Sequence, residues 1–438
     1  MANEFKTSRK TELVALRAAE SAGYLLSGSA KYFKDQLKGK RNGTTFEFVI
    51  PDVGTFARGI DISAGGTPNL KEKKIAKQIL AENVKVATNL LEKVTDVNWD
   101  KEVAKPNGKL LINGAVKDAI DGVKGQTIDG VTVTDYDGDW GDTNTCFAGI
   151  GYGPLTAAQN YLASVSDESQ YAFINPLINA KLSETGDSFK PSSADPIFSK
   201  GLLGKLGETE YRSCQFMPLV SVSTALATAM ATVDSITYVD NGDKTATITL
   251  KASGSAIAVK IPKGFTIWIN GLYATDLVGM RTSALKAFVA VEDGANNGEM
   301  IVKALTAEDL IGRGNKLVCK ADGSALGASK SAAETALAGM VTGVGDVKFL
   351  EAGNWFGGQI RIDGAYEFEM LDEIDASNAD TERADNEGVI VFQNRAIDVL
   401  KGSNVTRWSA LVMAGIVEPR CVATVLVKDA DCNKVHLV

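Results

Sequence analysis

The residue types that most often carry catalytic chemistry are scarce in this sequence. It contains one histidine, His436, two residues before the end of the printed chain. A Ser-His-Asp triad and a Cys-His dyad each need a histidine set beside other functional groups, and a multi-histidine metal site needs several. We therefore expect none of these sites, which argues against most hydrolases and metalloenzymes.

A short acidic segment is the next candidate for a functional site. Asp135, Asp137 and Asp139 alternate along the chain as they do in a calcium loop. Trp140, however, stands where an EF-hand needs its turn glycine, and Cys146 stands where it needs a bidentate glutamate. This pattern favours a plain turn.

A second acidic stretch covers residues 367–387, which hold nine Asp or Glu and one Arg. Such a stretch is either a divalent-ion site or a solvated strand edge and loop, and the latter is commoner. Paired carboxylates can do acid–base work without histidine, but none of the 54 acids stands out as a pair.

Two glycine-rich segments resemble nucleotide-binding loops only superficially. GLLGKLGE at 201–208 lacks the spacing and the Ser/Thr of a phosphate loop, and GIGYGP at 149–154 does not match GxGxxG. We therefore predict no catalytic, cofactor-binding or metal site, and no enzyme activity. A carboxylate-based carbohydrate-active enzyme is the remaining enzymatic alternative.

Composition predicts a folded chain of two or three structural units. The 438 residues are 45% hydrophobic and 23% charged, and the net charge is −8. A negative chain is a poor general binder of nucleic acid, because phosphate contacts need Lys and Arg.

Cysteine usage and the first residues suggest the compartment. The five cysteines are scattered without a CxxC pair, as is typical of reduced thiols in a cytosolic protein. MANEFKTSRK has no apolar signal region, and the longest charge-free run, 215–233, is too polar to span a bilayer. We expect a soluble protein that is intracellular when synthesised.

The first third of the sequence predicts three elements in order. Residues 1–41 hold nine Lys or Arg against four Asp or Glu, and Leu13, Leu16, Ala19 and Ala22 recur at helical spacing. In residues 43–69, apolar and polar residues first alternate, and Gly and Pro turn residues follow. This pattern predicts a long hairpin that packs either on another subunit or back on its own chain. Residues 70–94 carry an apolar stripe and predict a long helix.

The remainder predicts a mixed fold. GPLTAAQNYLASV at 153–165 predicts a helix with Pro154 at its start, and AFINP predicts a short buried strand. Residues 234–308 predict strands with a hairpin at Asn241-Gly242, and hence an inserted small barrel. The segment 388–427 predicts a closing strand–helix–strand pattern.

This order of elements resembles the major capsid (coat) protein of tailed bacteriophages with the HK97-type fold, in the short-tailed branch that carries an insertion domain. The stretches that carry the resemblance are IAKQILAENVKVATNLLEK, AFINPLINAKLSETGD with IFSKGLLGKLGETEYRSCQFMPLV, DNGDKTATITL with KGFTIWINGLYATDL and AFVAVEDGANNGEMIV, and RAIDVLKGSNVTRWSALVMAGIVEPRCVATVLV. The segment before the long helix is shorter than in that branch.

The resemblance implies an α+β architecture with named parts. These are an N-terminal arm (1–41), an extended loop (42–69), a peripheral domain with a spine helix (70–145 and 388–438), an axial domain (146–224 and 331–387) and an inserted β-barrel (225–330).

The resemblance also implies the function and partners. The chain would assemble with itself into hexamers and pentamers of an icosahedral head, enclosing double-stranded DNA without sequence-specific binding. The same resemblance implies two partners, a scaffolding protein and a portal protein at one vertex. It also implies no cofactor and no membrane, with assembly in the host cytoplasm and a final place in the virion. An encapsulin-like nanocompartment shell is the alternative.

Seven residues are expected to contact other subunits. Phe46 and Phe48 lie on the alternating strand of the hairpin, and Arg58 and Asp61 lie near its tip. In the resembling branch a charged loop reaches a neighbouring capsomer. The matching residues here are Asp240, Asp243 and Lys244, and the turn at Asn241-Gly242 predicts that they project into solvent unless a subunit meets them.

Overall fold

The computed structural model describes residues 2–30, 45–46, 77–78, 80–87, 100–128, 131–178, 202–206, 209–312, 314–370, 381–386, 388–398 and 403–429. The α-helices in this part of the chain are α1 (Ala2–Ser21), α2 (Gly23–Leu26), α3 (Lys105–Asp121), α4 (Gly153–Val165), α5 (Thr224–Met230), α6 (Ala307–Ile311) and α7 (Lys330–Ala338). A π-helix, Asp100–Ala104, precedes α3, and a 3-10 turn spans Pro419–Cys421. None of these helices combines the length and apolar character that a membrane crossing needs.

The strands follow in chain order. They are β1 (Ser29–Ala30), β2 (Thr45–Phe46), β3 (Lys77–Gln78), β4 (Leu80–Ala87), β5 (Thr127–Ile128), β6 (Val131–Thr132), β7 (Thr145–Ile150), β8 (Gln170–Ile174), β9 (Leu202–Leu206), β10 (Thr209–Ser213), β11 (Leu219–Val222), β12 (Ser235–Asp240), β13 (Thr245–Ala252), β14 (Ser255–Ala256), β15 (Thr266–Thr275), β16 (Arg281–Glu292), β17 (Glu299–Lys303), β18 (Val318–Cys319), β19 (Val347–Phe349), β20 (Gly353–Ile362), β21 (Tyr366–Met370), β22 (Thr381–Asn386), β23 (Val389–Asp398), β24 (Ser403–Ile416) and β25 (Val422–Lys428).

Three larger sheets organise these strands. The six-stranded sheet has the order β1-β21-β24-β23-β22, with β4 also paired to β24. The seven-stranded sheet has the order β7-β25-β20-β8-β10-β9, with β11 paired to β20. The inserted sheet has the order β12-β13-β17-β16-β15-β18, with β14 on β13 and β19 on β15. Two short pairs, β2–β3 and β5–β6, complete the set.

This architecture confirms the α+β class and several local predictions. Helix α4 has the predicted bounds, with Pro154 in its first turn. Strand β8 contains the predicted buried segment. Strands β12 and β13 form the predicted hairpin, in which the Asn241 amide donates to the Thr245 carbonyl at 3.0 Å.

The helix predicted over residues 70–94 is wrong where the structure describes it. Residues 77–78 and 80–87 are strands, and β4 pairs with β24 from Leu80 opposite Val412 to Ala87 opposite Val405. The alternating β-branched residues Val84 and Val86 suit a strand. Pairing with the long strand β24 stabilises this strand more than the helical spacing of its apolar residues would stabilise a helix.

A helix of 17 residues, α3, lies later in the chain, in a segment for which the sequence predicted no helix. Pro106 is in its first turn, a position that proline tolerates well. Gly108 is at its crossing with α1, where a Cβ would lie 2.7 Å from the Val14 carbonyl oxygen. These residues weaken the helical signal of the sequence and at the same time permit the close helix packing.

Helix α1 packs within the chain. Its buried face carries Val14, Ala15 and Ala18, whereas Leu16 from the predicted stripe is 36% exposed. The Arg17 guanidinium pairs with Asp100 at 2.6 Å. The start of the expected arm is thus anchored to the segment before α3.

The expected closing strand–helix–strand differs from the structure. Residues 403–416 form the strand β24, and only the short turn at 419–421 is helical between β24 and β25. From Trp408 to Ile416 the described side chains are buried whichever way they point. A run buried on both faces loses its alternation and cannot be distinguished from a buried helix by periodicity.

The strand pairing also does not follow the expected domain boundaries. β21 and β22, expected in the axial part, belong to the six-stranded sheet, and β25, expected in the peripheral part, joins the seven-stranded sheet. The inserted sheet extends past residue 330, because β19 at Val347–Phe349 pairs with β15. Within the described residues its strand order has no closing pair, so barrel closure stays a prediction.

Candidate functional site

A fully buried arginine lies where the seven-stranded sheet meets α2. Arg361 on β20 is inaccessible to solvent, and its guanidinium carbon lies 3.8, 4.3 and 4.8 Å from the ring centres of Tyr366, Phe173 and Tyr24. Its Nη2 donates to the carbonyl of Ser27 at 2.8 Å and to that of Tyr24. Cation–π contacts and carbonyl dipoles therefore hold this charge inside the protein.

Asp139 is a buried carboxyl of the same cluster. The Tyr24 hydroxyl donates to its Oδ2 at 3.4 Å, and the Ile416 amide donates to its Oδ1 at 3.3 Å. Burial first, and then the negative charge of Asp139, raise the pKa of the Tyr24 and Tyr366 hydroxyls well above the ordinary value. Both phenols stay protonated, and the cluster ties α2, β20 and β24 together.

A line of ion pairs fastens the inserted sheet to the rest of the chain, and we call it the seam. Its contacts are Lys263–Asp121 at 2.7 Å, Lys124–Asp243 at 2.9 Å, Lys124–Glu292 at 3.4 Å, Lys244–Asp135 at 3.4 Å and Lys303–Asp142. Lys286, 4% exposed, donates from Nζ to the Thr143 carbonyl at 2.5 Å. A cavity of about 520 Å³ borders part of the seam.

The seam includes two of the three loop residues for which subunit contacts were predicted, Asp243 and Lys244. Asp243 and Lys244 pair with Lys124 and Asp135, and Asp240 pairs with Lys330. The expectation that they project into solvent is therefore wrong, because the loop lies against the end of α3 and the turn after it. Contact of these residues with another subunit stays a prediction.

The hairpin residues predicted to contact other subunits fall mostly outside the described residues. Phe48, Arg58 and Asp61 lie there, and for Phe46 the structure gives the backbone alone. Phe46 pairs with Lys77, and Thr45 pairs with Gln78. The residues on either side of the segment 47–76 are therefore paired with each other.

The acidic and thiol groups do not converge on a site in the described residues. Asp135 pairs with Lys244, Asp137 accepts from the Val123 amide at 3.1 Å, and Asp139 turns inward. No group of three or more metal-ligating side chains occurs in the part of the chain that the structure describes.

Four of the five cysteines are described, and all four are buried and unbridged: Cys146, Cys214, Cys319 and Cys421. Burial raises the pKa of each thiol above its ordinary value. They are therefore poor nucleophiles.

A groove of about 610 Å³ runs beside β7, between the seven-stranded and inserted sheets. Trp268, Phe349, Leu350 and Trp355 line it. Lys428 lies over the Trp355 ring at 5.5 Å and pairs with Glu351 at 2.8 Å at its rim. The groove is a candidate surface for an apolar segment of chain.

Sequence reasoning missed Arg361, the seam lysines other than Lys244, and this groove. A charged residue inside an apolar strand such as GGQIRI is the one signal that points to a buried cation. The seam lysines lie in ordinary polar turns and strands, where single charges carry no such signal.

No family model matches the sequence, and no curated protein matches it. Solved structures give weak similarities. The capsid of Ralstonia phage GP4 is 8% identical, with 90% of this chain and 86% of that chain covered and a TM-score of 0.40. The head of Helicobacter pylori bacteriophage KHP40 is 9% identical, with 89% and 85% covered and a TM-score of 0.38.

The capsid of cyanophage P-SCSP1u is 11% identical, with 89% and 85% covered and a TM-score of 0.35. Because the identities and TM-scores are this low, the similarities assign neither a fold nor a function to this chain.

Proposed function

We propose that this chain is a shell subunit of a tailed-phage head, a structural protein that assembles with itself and lies in the virion. The observation that carries the proposal is the β2–β3 pair, which brings together the two ends of the segment 47–76, here called the excursion. A segment of this length whose ends meet can reach up to about 50 Å from them. That length suits it to lie on a second subunit.

The chemistry of the excursion supports contact with protein. Phe46, Phe48 and Ile50 alternate with polar residues in the sequence, and an alternating apolar stripe that is not buried in its own chain marks an interaction surface. Arg58 and Asp61 add one charge of each sign near the tip, and each ion pair is worth about 1 kcal/mol or less. Repeated in every subunit, these small contributions add up across a shell.

The finer features of the proposal come from the resemblance of the sequence to the coat-protein family. They are hexamers and pentamers, an HK97-type fold, enclosed double-stranded DNA, and scaffolding and portal partners. The net charge of −8 supports the absence of tight DNA binding, because an acidic shell does not trap the packaged genome.

Imaging the purified protein tests this function. We expect closed icosahedral particles in negative stain, with nucleic acid inside when they are isolated from infected cells. Particles that hold protein cargo instead of DNA would favour the encapsulin-like alternative. A chain that stays dispersed under all assembly conditions would contradict both.

Deleting residues 52–66 tests the role of the excursion. We expect folded subunits with an unchanged melting temperature that no longer form particles. Replacing 52–66 by a Gly/Ser stretch of equal length is the matched control, because it keeps the length and removes the side chains. Normal particles from both variants would show that the excursion does not hold subunits together.

A further inference from the structure

Helices α1 and α3 form one layer on the six-stranded sheet, which we call the helical layer. α1 packs on β22 and β23, α3 packs on β4 and β24, and the two helices also pack on each other. Two helices that touch each other and neighbouring strands of one sheet lie on the same face of that sheet. The sides that they turn away from the sheet therefore form one continuous surface.

The exposed charges of this surface are divided between the two helices. On α1, Glu12 and Glu20 are exposed on either side of Leu16, at a spacing of four residues. We call these three residues the acidic row. On α3 and the π-helix before it, exposed lysines recur at multiples of four residues, and we call them the lysine row: Lys101, Lys105, Lys109 and Lys117. Side chains four residues apart are neighbours on a helix surface.

Contacts within the chain leave this separation of charge in place. The Arg17 guanidinium pairs with Glu20 and with Asp100, each at 2.6 Å. The charge of Arg17 is offset by that of Asp100, so the acidic row keeps its negative charge. Lys105 and Lys109 form no ion pair with another described residue, so the centre of the lysine row keeps its positive charge.

Each row also lies beside an exposed leucine. Leu16, inside the acidic row, is 36% exposed, and Leu110, next to Lys109, is 60% exposed. Apolar side chains surrounded by charged ones are the usual composition of a contact between proteins, with an apolar centre and a polar rim.

The two rows together match a second copy of the same surface. When two copies face each other about a two-fold axis that runs between the helices, α1 of each copy lies on α3 of the other. Both acidic rows then meet lysine rows, and opposite charges face each other twice. A polyanion such as nucleic acid fits less well, because the acidic row beside the lysines repels it.

We infer that the outer surface of the helical layer is a contact between two copies of this chain, with the acidic row of each copy against the lysine row of the other. The inference rests on the proposed self-assembly, to which it adds a contact other than the excursion. α3 has 17 residues and is about 25 Å long, and two helices side by side are about 20 Å wide.

The size of this surface sets the strength of the contact. Its dimensions give about 500 Å² for each copy, whereas a standard stable interface buries about 800 Å² for each partner. The pair is therefore weak between free chains and suits a contact that is repeated in an assembly.

Two charge-reversed variants test the contact in solution. Lys105→Glu with Lys109→Glu turns the centre of the lysine row acidic, and Glu12→Lys with Glu20→Lys turns the acidic row basic. Each variant repels itself, and the two attract each other. We expect their mixture to associate at least about tenfold more tightly than either variant alone, because each exposed ion pair changes an equilibrium by up to about fivefold. Sedimentation velocity over a concentration series at low salt measures this, and added salt should weaken the association.

Matched controls reverse the same numbers of exposed charges outside the helical layer. They are Lys260→Glu with Lys348→Glu, and Asp167→Lys with Glu168→Lys. We expect the mixture of these two controls to associate no more tightly than the unaltered chain.

Thermal unfolding reports that each variant is folded. Glu20 also pairs with Arg17, so Glu12→Lys alone replaces the double variant if Glu20→Lys lowers the melting temperature. The mixture of Glu12→Lys with the acidic variant should then show a smaller gain of the same sign.

Three results would overturn the inference. The first is no gain in association when the folded variants are mixed. The second is an equal gain in the control mixture, which would assign the attraction to net charge. The third is short duplex DNA that binds the unaltered chain but not Lys105→Glu with Lys109→Glu, which would assign the lysine row to nucleic acid.

This experiment separates the contact from the proposed function, because it uses free chains. Particles from the unaltered chain without a gain on mixing would contradict the contact alone. A gain on mixing by a chain that never forms particles would support the contact and contradict the shell function.

Discussion

Arg361 shows how a single residue holds together parts that are distant in sequence. Its guanidinium touches rings from α2, β8 and β21, which lie far apart along the chain. Arginine suits this place because its planar, weakly hydrated cation stacks on aromatic faces. A lysine ammonium carries the same charge but is a compact, strongly hydrated point.

We therefore expect Arg361→Lys to destabilise the protein by about 3 kcal/mol, the order of loss when a buried charge is left without its partners. The midpoint of urea unfolding measures this loss. Arg383→Lys on β22 is the control, because that side chain is 41% exposed and pairs with Asp385 at 3.4 Å. Equal midpoints for the two variants would mean that the stacked arrangement contributes nothing.

Gly108 decides the contact between two elements. It lies in α3 against α1, and a Cβ there would be 2.7 Å from the Val14 carbonyl oxygen and 2.8 Å from the Ala18 amide nitrogen. Both neighbours are helix backbone and cannot move aside separately. The two helices approach this closely because the residue at the crossing has no side chain.

We expect Gly108→Val to push α1 from α3 and to cost about 1–3 kcal/mol, as overpacking usually does. Thermal unfolding followed by circular dichroism measures it. Gly153→Ala at the start of α4 is the control, because no atom lies within 4 Å of its added Cβ. An unchanged melting temperature for Gly108→Val would show that the crossing tolerates a side chain.

The seam makes the attachment of the inserted sheet dependent on pH. Burial of Asp243 opposes its ionisation, but hydrogen bonds from Thr245 and Lys124 outweigh it, so the pKa of Asp243 lies below the ordinary 3.8. A carboxyl with a lowered folded-state pKa contributes stability above its unfolded pKa, and this contribution is lost as the pH falls through the folded value.

We therefore expect stability to fall below about pH 4, and to fall less steeply in Lys124→Met, which has already lost the partner. Urea midpoints measured between about pH 6 and pH 3 give the two slopes. Lys109→Met, an exposed position on α3, should keep the full slope. Parallel slopes for Lys124→Met and the unaltered chain would contradict a stabilising Asp243–Lys124 pair.

At the scale of the whole molecule, the strand pairing of the inserted sheet determines which residues a separately folding fragment must contain. Residues 225–330 were expected to form the inserted β-barrel, but β19 at Val347–Phe349 pairs with the first part of β15, and α7 packs on β12. A fragment that ends at 330 leaves β15 with an unpaired edge and uncovered apolar residues.

We expect a fragment of residues 225–350 to unfold cooperatively at a higher temperature than 225–330. Calorimetry of both fragments, with dispersed amide resonances as the sign of a fixed fold, measures the difference. Equal melting of the two would show that β19 and α7 add nothing. A random-coil spectrum for 225–350 would show that the sheet needs the seam and the seven-stranded sheet in order to fold.

The sequence by itself determined the elements whose signals are local. The hairpin at Asn241-Gly242 and helix α4 with Pro154 at its start follow from turn chemistry and from periodicity over a few residues. The scarcity of histidine likewise argued against several enzyme classes without reference to any fold.

The tertiary structure alone decided the features that depend on distant partners. β4 is a strand because β24 lies beside it, and α3 is helical although Pro106 and Gly108 weaken its signal. Asp243 and Lys244 look like exposed loop charges in the sequence, yet their partners Lys124 and Asp135 lie more than a hundred residues earlier. Local patterns cannot report such contacts, because pairing and burial energies are set by whichever segments the fold brings together.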